Sequence, residues 1–440
     1  MHLKREAHIT KTKLRYYFVL ILPFFLVSFI MRLFDNSWEF LSKYLLIASL
    51  SSYLTGKFIN YLLKEKSKEK WNEIVGIGAI CATEIVLESV VLVYPRYLKL
   101  FYLCNVLGSL VIGIGVDSIK RKWMLYFSLI ILALFSSISV DPQLFAYIIP
   151  HAILPVSLAI LALFGNTSII GRAILLDAHV QKLSGNHSQG RMLMAKSIAF
   201  EALIWIFTGV VSHTFLLPAK YFLLAGIVLS LISIVLSRYI TEKTHSHASL
   251  VGVKEILKKL KQTSLLGPPF FLFLICVLLV EVGCFAFLLN LERRSPPDMQ
   301  LQHALCASIS MYLGCLLCQC KIFKSQGDRM FVIFGVSVSI IGVIIYLITQ
   351  TQTANNISFS IVGLGSGLFL PCFYSINVSF KGIHFCGLLI GMIDLIRTLG
   401  EWFGSLLSKG SPYLMALLLT IIFSFTLFLF NHLLKGRQKS

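Results

Sequence analysis

The sequence predicts an all-α, polytopic membrane protein. Of its 440 residues, 57% are hydrophobic and only 13% are charged, and the mean hydropathy is +0.81. A soluble protein has about 25% charged residues. The apolar runs approach the roughly 20 residues that span a bilayer and are too long for barrel strands. Because the bilayer core offers no water to backbone groups, we expect each run to be a helix.

About 14 such runs follow one another along the chain. They lie near residues 14–34, 43–63, 74–94, 97–116, 123–140, 142–165, 195–213, 220–240, 269–290, 303–323, 329–349, 356–376, 383–406 and 411–433. The first follows a basic segment, as a signal peptide does. It lacks a small-residue cleavage site and is long enough to span, so we expect a retained helix.

Lysine and arginine are distributed unevenly between alternate loops. With the amino terminus inside, one set of loops holds most of the cations, including those of Lys64–Lys70, Lys120–Lys122 and Lys254–Lys261. The formal net charge of +19 therefore reflects the positive-inside rule rather than nucleic-acid binding. Both termini are predicted to be cytoplasmic, which agrees with an even number of spans.

Two longer cytoplasmic stretches are expected at 166–194 and 241–267. In the second, Ile256, Leu257 and Leu260 form one helical face and lysines form another. This pattern predicts a basic amphipathic helix on the inner membrane surface. The helix either binds a partner or connects two helical bundles. Six spans precede it from residue 74 onward and six follow it, which favours the connector.

The ten cysteines lie mostly inside predicted spans. Cys315, Cys318 and Cys320 form a cluster, but no second cysteine pair or histidine lies nearby at ligand spacing. We therefore expect buried thiols rather than a metal site. No metal, cofactor or catalytic residue is predicted.

A short charged segment, Gly113–Leu125, separates the fourth and fifth runs. A small residue such as Gly113 lets two helices approach closely. The carboxylate of Asp117 can then pair with cations or with a helix amino terminus across a bundle interface. A contact of this kind, formed in one state and broken in another, is what alternating access requires.

This segment resembles the loop after the second helix of the major facilitator superfamily (MFS) of secondary transporters. The positions that match the family's loop pattern are Gly113, Asp117, Arg121, Lys122 and Leu125. The departures are Ser118, where a cation is usual, and Lys120, where a glycine is usual.

Other segments resemble the same family in the same order, so that the resemblance covers residues 74–435. Gly171-Arg172 through Asp177 resembles the cytoplasmic end of the fourth helix, and Gly190-Arg191 the loop into the fifth. Gly327-Asp328-Arg329 resembles a second copy of the gating loop, and Gly363–Pro371 the tenth helix. The gating residues that the resemblance implies are Gly113, Asp117, Arg121, Lys122, Arg172 and Asp177.

The resemblance also implies an MFS-like core of two six-helix bundles preceded by two extra helices. The expected divisions are 1–72 for the cytoplasmic amino terminus and the extra helices, 73–240 for the first bundle, 241–267 for the connector and 268–440 for the second bundle.

Charged residues inside predicted spans are the candidates for contact with protons or solute, because each costs roughly 2.5–3.5 kcal/mol at a helix centre. They are Glu84, Glu88, Glu281, Asp394, Arg397 and Glu401. Glu84 and Glu88 share a face of the first core helix, where burial and repulsion make them candidates for proton coupling. In the alternative interpretation, Glu88 is solvated near the outer end and only Glu84 lies deep.

The second-half candidates have two interpretations. Glu281 lies in the seventh core helix, and the resemblance implies a position facing solute or proton. Asp394 and Arg397 stand three residues apart, so they form either a structural ion pair or a site in which Arg397 contacts an anionic solute.

These observations predict a secondary active transporter that moves a small polar or anionic solute by alternating access, with or without protons. No Walker loop and no HExxH motif appears in the sequence, which disfavours an ATPase and a polytopic enzyme. A lipid-handling or non-transporting scaffold is the alternative, favoured by the imperfect motifs. We expect a bacterial cytoplasmic (inner) membrane location, with lipid and a small-molecule solute as partners. A symporter and an antiporter both fit this prediction, and the oligomeric state is left open.

Overall fold

A computed structural model describes residues 68–140, 153–178, 187–215, 220–240, 268–294, 297–320, 327–349, 351–379 and 386–435. All regular structure in these ranges is helical, as predicted. The helices are α1 (Lys68–Val93), α2 (Leu98–Ser118), α3 (Arg121–Val140), α4 (Ile153–Phe164), α5 (Thr167–Ala178), α6 (His187–Phe215), α7 (Lys220–Ser237), α8 (Pro268–Arg294), α9 (Pro297–Gln319), α10 (Asp328–Thr349), α11 (Gln352–Ser379), α12 (Cys386–Leu407) and α13 (Pro412–Lys435).

Six segments of the described chain are long and apolar enough to cross a membrane. They are Leu98–Ser118, Arg121–Val140, Leu154–Leu176, Pro268–Asn290, Asp328–Ile348 and Gln352–Ile376. The predicted spans at 14–34 and 43–63 and the connector at 241–267 lie outside the described residues. The two extra helices and the total of about 14 spans therefore stay predictions.

Helix α2 shows the burial pattern of a membrane helix. Leu103, Leu107 and Val111 recur every four residues and are exposed, whereas Asn105 and Ser109 are buried. In a soluble protein the exposed stripe would be polar. An apolar outer face with polar groups inside is what lipid surroundings favour, and this supports an integral, multi-pass membrane protein.

The fourth core span differs from the sequence prediction. Residues 142–165 were expected to span and 166–194 to be a cytoplasmic stretch, but the apolar segment is Leu154–Leu176 and residues Thr167–Ala178 form a helix. The polar run Asn166-Thr167-Ser168 resembles a loop in sequence. In the structure these side chains are buried and hydrogen-bonded, since Ser168 donates to Asn166 over 2.6 Å. The break between α4 and α5 thus lies within the span.

Helices α1, α3, α4, α5 and α7 form one compact unit. In it, α1 packs against α5 and α7, and α3 packs against α4 and α7. The backbones of α1 and α5 come closest at Gly76 and Gly171, where a Cβ added to Gly76 would lie 2.9 Å from the carbonyl oxygen of Gly171. Only glycine allows an approach this close.

A second compact unit contains α2, α6 and α8–α13 and so combines helices from both halves of the sequence. In it, α11 packs against α9 and α10, α6 packs against α9, and α8 packs against α12 and α13. Helices α8 and α12 come closest at Gly400, where an added Cβ would lie 2.6 Å from the Cβ of Glu281. This contact positions the charged residues described next.

Candidate functional site

Side chains from α8, α11 and α12 form a buried polar network in the second unit. Arg397 Nη1 donates to the hydroxyl of Tyr374 over 3.0 Å, and Arg397 Nε lies 3.6 Å from Glu281 Oε1. The Tyr374 hydroxyl in turn donates to the Asp394 carboxylate. Tyr374 is fully buried, and Glu281 and Asp394 are only 8% and 6% exposed. We call these four residues the charged network.

Three of the network residues are sequence candidates: Glu281, Asp394 and Arg397. Tyr374 was not selected, and it links the Asp394 carboxylate to Arg397. The only sequence signal was its hydroxyl, since a tyrosine inside a membrane helix needs a hydrogen-bond partner. Glu401 lies one turn beyond Arg397 on α12 and is half-buried.

The network contains two carboxylates and one guanidinium. With all three ionised, its formal charge is negative by one. One added proton or one positively charged group would bring the formal charge of these four residues to zero.

Helix α2 contacts α12 in two places, one near the network and one at the amino terminus of α12. Asn105 Nδ2 donates to Thr398 Oγ1 over 3.4 Å, and Thr398 Oγ1 donates to the carbonyl oxygen of Asp394 over 2.9 Å. Through Thr398, this contact connects α2 to the backbone of a network residue.

The second α2–α12 contact is formed by Asp117. Its Oδ1 accepts from the backbone N–H of Gly387 over 2.9 Å, and its Oδ2 accepts from that of Leu388 over 2.7 Å. Gly113 lets the backbones meet, because an added Cβ would lie 2.8 Å from the carbonyl oxygen of Gly387. Of the two partners that the sequence left open for Asp117, the structure shows a helix amino terminus. We call this contact the α2–α12 latch.

Arg191 and Asp328 form a second buried contact, between the start of α6 and the first residue of α10. Arg191 Nη1 donates to Asp328 Oδ1 over 2.9 Å, and Arg191 Cζ lies 4.2 Å from the ring centroid of Phe331. Arg191 is fully buried. The two residues lie in separate loop-like segments of the sequence, and no local spacing relates positions 137 residues apart.

In the first unit, Glu84 faces Arg172. Arg172 Nη2 lies 3.9 Å from Glu84 Oε1, and its side chain is 1% exposed against 18% for Glu84. Beside them, the Thr167 hydroxyl donates to the carbonyl oxygen of Ala79 over 2.7 Å, and the Thr167 N–H donates to Thr83 Oγ1 over 2.9 Å. Arg172 is thus placed inside the Leu154–Leu176 span rather than in a loop.

The remaining gating candidates lie at helix ends. Arg121 Nη1 donates to the carbonyl oxygen of Ala173 over 3.4 Å, and Lys122 Nζ donates to that of Arg238 over 3.0 Å. Arg121 therefore contacts a backbone carbonyl of α5, and Lys122 contacts one in the turn that follows α7. The side chains of Glu88 and Asp177 lie outside the described residues.

None of the ten cysteines forms a disulfide in the described structure. Seven of them are buried, and the exposed one is Cys320. In the part of the chain that the structure describes, no group of three or more His, Cys, Asp or Glu side chains is placed to hold a metal ion.

The sequence matches no family model and no curated protein, but solved structures resemble the fold. The human organic anion transporter MFSD10 (TETRAN) aligns with a TM-score of 0.64 and 12% identity over 83% of this chain and 100% of its own. The MFS transporter FucP in the outward conformation aligns with a TM-score of 0.62 and 11% identity, over 83% and 99% of the two chains.

The proton:xylose symporter XylE, also of the MFS, aligns with a TM-score of 0.60 and 13% identity, over 82% of this chain and 94% of its own. Identities this low show likeness of fold. All three structures are of transporters.

Proposed function

From the premise that the chain has the fold of the major facilitator superfamily, we propose that it is a secondary transporter. It moves a small polar or anionic solute across the membrane by alternating access. The observation that supports this most directly is the charged network of Glu281, Tyr374, Asp394 and Arg397, held inside a unit built from apolar helices. Burying such groups is costly, and polar groups of this kind in membrane helices typically mark a solute or ion pathway.

The charge of the network limits the solute. Arg397 offers a planar guanidinium suited to a carboxylate or phosphate. Two carboxylates already lie beside it, so a bound monoanion would make the formal charge of the loaded site −2. An anionic solute therefore has to enter with protons, whereas a solute without net charge does not.

Proton coupling, if the protein uses it, fits the network better than the first core helix. Glu84 has the Arg172 guanidinium nearby as a countercharge. Glu281 and Asp394 flank one guanidinium, so the network holds more carboxylates than cations and a proton would bring its formal charge to zero. The coupling role proposed for Glu84 and Glu88 is therefore the less favoured of the two.

The α2–α12 latch and the Arg191–Asp328 pair supply contacts that a gate can make and break. Both join a helix from the first half of the sequence to one from the second half. We propose that these contacts hold one state of the cycle, with the first bundle at 73–240 and the second at 268–440. The proposed location is a bacterial cytoplasmic (inner) membrane with both termini inside.

The test is solute exchange in proteoliposomes. Purified protein is reconstituted with a defined mixture of sugars, carboxylates and amino acids inside, and movement is followed by mass spectrometry with and without a proton gradient. Exchange above empty liposomes, lost in Arg397→Gln but kept in the exposed-cation control Lys409→Gln, is expected. If no class of solute moves, the scaffold alternative replaces the transporter.

A further inference from the structure

Two atoms of the charged network have no hydrogen-bond partner in the described structure. They are Glu281 Oε1, an acceptor, and Arg397 Nε, a donor, and both are buried. They face each other at 3.6 Å, which is close enough for an ion pair but beyond the usual N–H···O length of 2.7–3.2 Å. An unmade hydrogen bond at a charged, buried group is costly.

Two hydrogen bonds hold the rest of the network together. Arg397 Nη1 donates to Tyr374, and the Tyr374 hydroxyl donates to Asp394. What remains is therefore one negative acceptor and one positive donor, side by side. The Arg397 side chain is 19% exposed and that of Glu281 10%, so the pair lies at the edge of the buried region rather than at its centre.

Solute classes differ in how they complete this pair. A dicarboxylate satisfies Arg397 and repels Glu281, and an amine does the reverse. A sugar hydroxyl can bond either atom, but without the added strength of charge-assisted hydrogen bonds. A molecule with an ammonium and a carboxylate on neighbouring atoms satisfies both and adds no net charge.

We propose that the solute is a small zwitterion, of the α-amino acid class. Its ammonium donates to Glu281 Oε1 and its carboxylate accepts from Arg397 Nε. This assignment rests on the proposed transport function and names the solute of the same site. Asp394 and Tyr374 hold Arg397 in place and leave its Nε for the solute.

The experiment compares matched analogues on the wild-type protein, so that it does not depend on the folding of a variant. The panel contains the twenty common L-amino acids, their N-acetyl derivatives, which lack the ammonium, and their amides, which lack the carboxylate. Each is tested in proteoliposome exchange and by its effect on the thermal unfolding of detergent-solubilised protein. At least one amino acid is expected to exchange and to stabilise, with both of its analogues weaker by about a hundredfold or more.

Two variants locate the effect. Glu281→Gln and Arg397→Lys, checked for folding by size-exclusion chromatography, are expected to lose stabilisation by the amino acid, while Lys409→Gln keeps it. Retained stabilisation in both network variants overturns the assignment of the site.

The outcomes separate the two proposals. Exchange of a sugar or a dicarboxylate with no amino acid active overturns the zwitterion and leaves the transporter standing. Stabilisation by an amino acid without any exchange supports the site and refutes transport. If no amino acid stabilises the protein and none is exchanged, the inference is overturned.

Discussion

The α2–α12 latch makes a quantitative prediction about Asp117. Its two carboxylate oxygens accept hydrogen bonds of 2.9 and 2.7 Å from the first free N–H groups of α12. Asp117→Asn keeps one acceptor and points an amide N–H at the other donor. The variant also removes the negative charge that a helix amino terminus favours.

The expected loss follows from these contacts. One charge-assisted hydrogen bond contributes about 1.5–3 kcal/mol, and the charge at the helix terminus adds about 0.3–1 kcal/mol. Taking about 2 kcal/mol as the cost to the latched state, the population with the latch open rises about 30-fold, because 1.4 kcal/mol corresponds to a factor of ten.

Cys386 provides a natural reporter of the open state. It is the first residue of α12, it forms no disulfide, and it is fully buried. Alkylation of Cys386 by a maleimide, measured by peptide mass spectrometry in the purified protein, therefore requires local opening. When opening is fast relative to alkylation, the rate follows the open population, so we expect a rise of about 30-fold in Asp117→Asn.

The control is Ser118→Ala, since the Ser118 hydroxyl is buried without a hydrogen-bond partner in the described structure. The exposed Cys320 corrects for reagent access. Equal Cys386 rates in the wild type and Asp117→Asn, with Cys320 unchanged, would show that the two hydrogen bonds do not hold α2 against α12.

Three further experiments test other contacts by thermal unfolding of the purified protein. Gly400→Ala places a Cβ 2.6 Å from that of Glu281, so overpacking should cost about 1–3 kcal/mol and reduce exchange; a normal melting temperature with full exchange would contradict the close α8–α12 contact. Arg191→Gln leaves a buried aspartate without its guanidinium and should destabilise by about 3–5 kcal/mol, and an unchanged melting temperature would rule this out. Glu84→Gln should cost less stability in a protein that already carries Arg172→Gln than in the wild type. Equal losses in the two backgrounds would show that Glu84 and Arg172 do not interact.

The helices themselves were predictable because lipid imposes one rule, a long apolar run, on every span. The expected runs at 329–349 and 411–433 fall within two residues of α10 and α13 at each end. The rule failed at the fourth core span, because Thr167 and Ser168 look like loop residues until their partners are known. A hydropathy scale gives a residue the same value whether its hydroxyl is buried and hydrogen-bonded or exposed to water.

The candidate site was predictable one residue at a time but not as an assembly. Glu281, Asp394 and Arg397 stood out because charge is expensive in lipid. Tyr374 did not, since a tyrosine is common in apolar helices and only its neighbours on α12 give it a role. The Arg191–Asp328 pair was missed for the same reason, as each residue taken alone reads as an ordinary loop charge.

The broken span has a consequence for biosynthesis. When α4 and α5 emerge from the ribosome, they bring a buried arginine and the unpaired hydroxyl and N–H of Thr167 into the membrane. Their partners Glu84, Thr83 and the carbonyl of Ala79 are on α1, which is synthesised earlier and is already available. Chain order thus lets a segment that carries an arginine insert beside the helix that holds its partners. A circular permutant that places α1 last would present the same segment to bare lipid and should insert poorly.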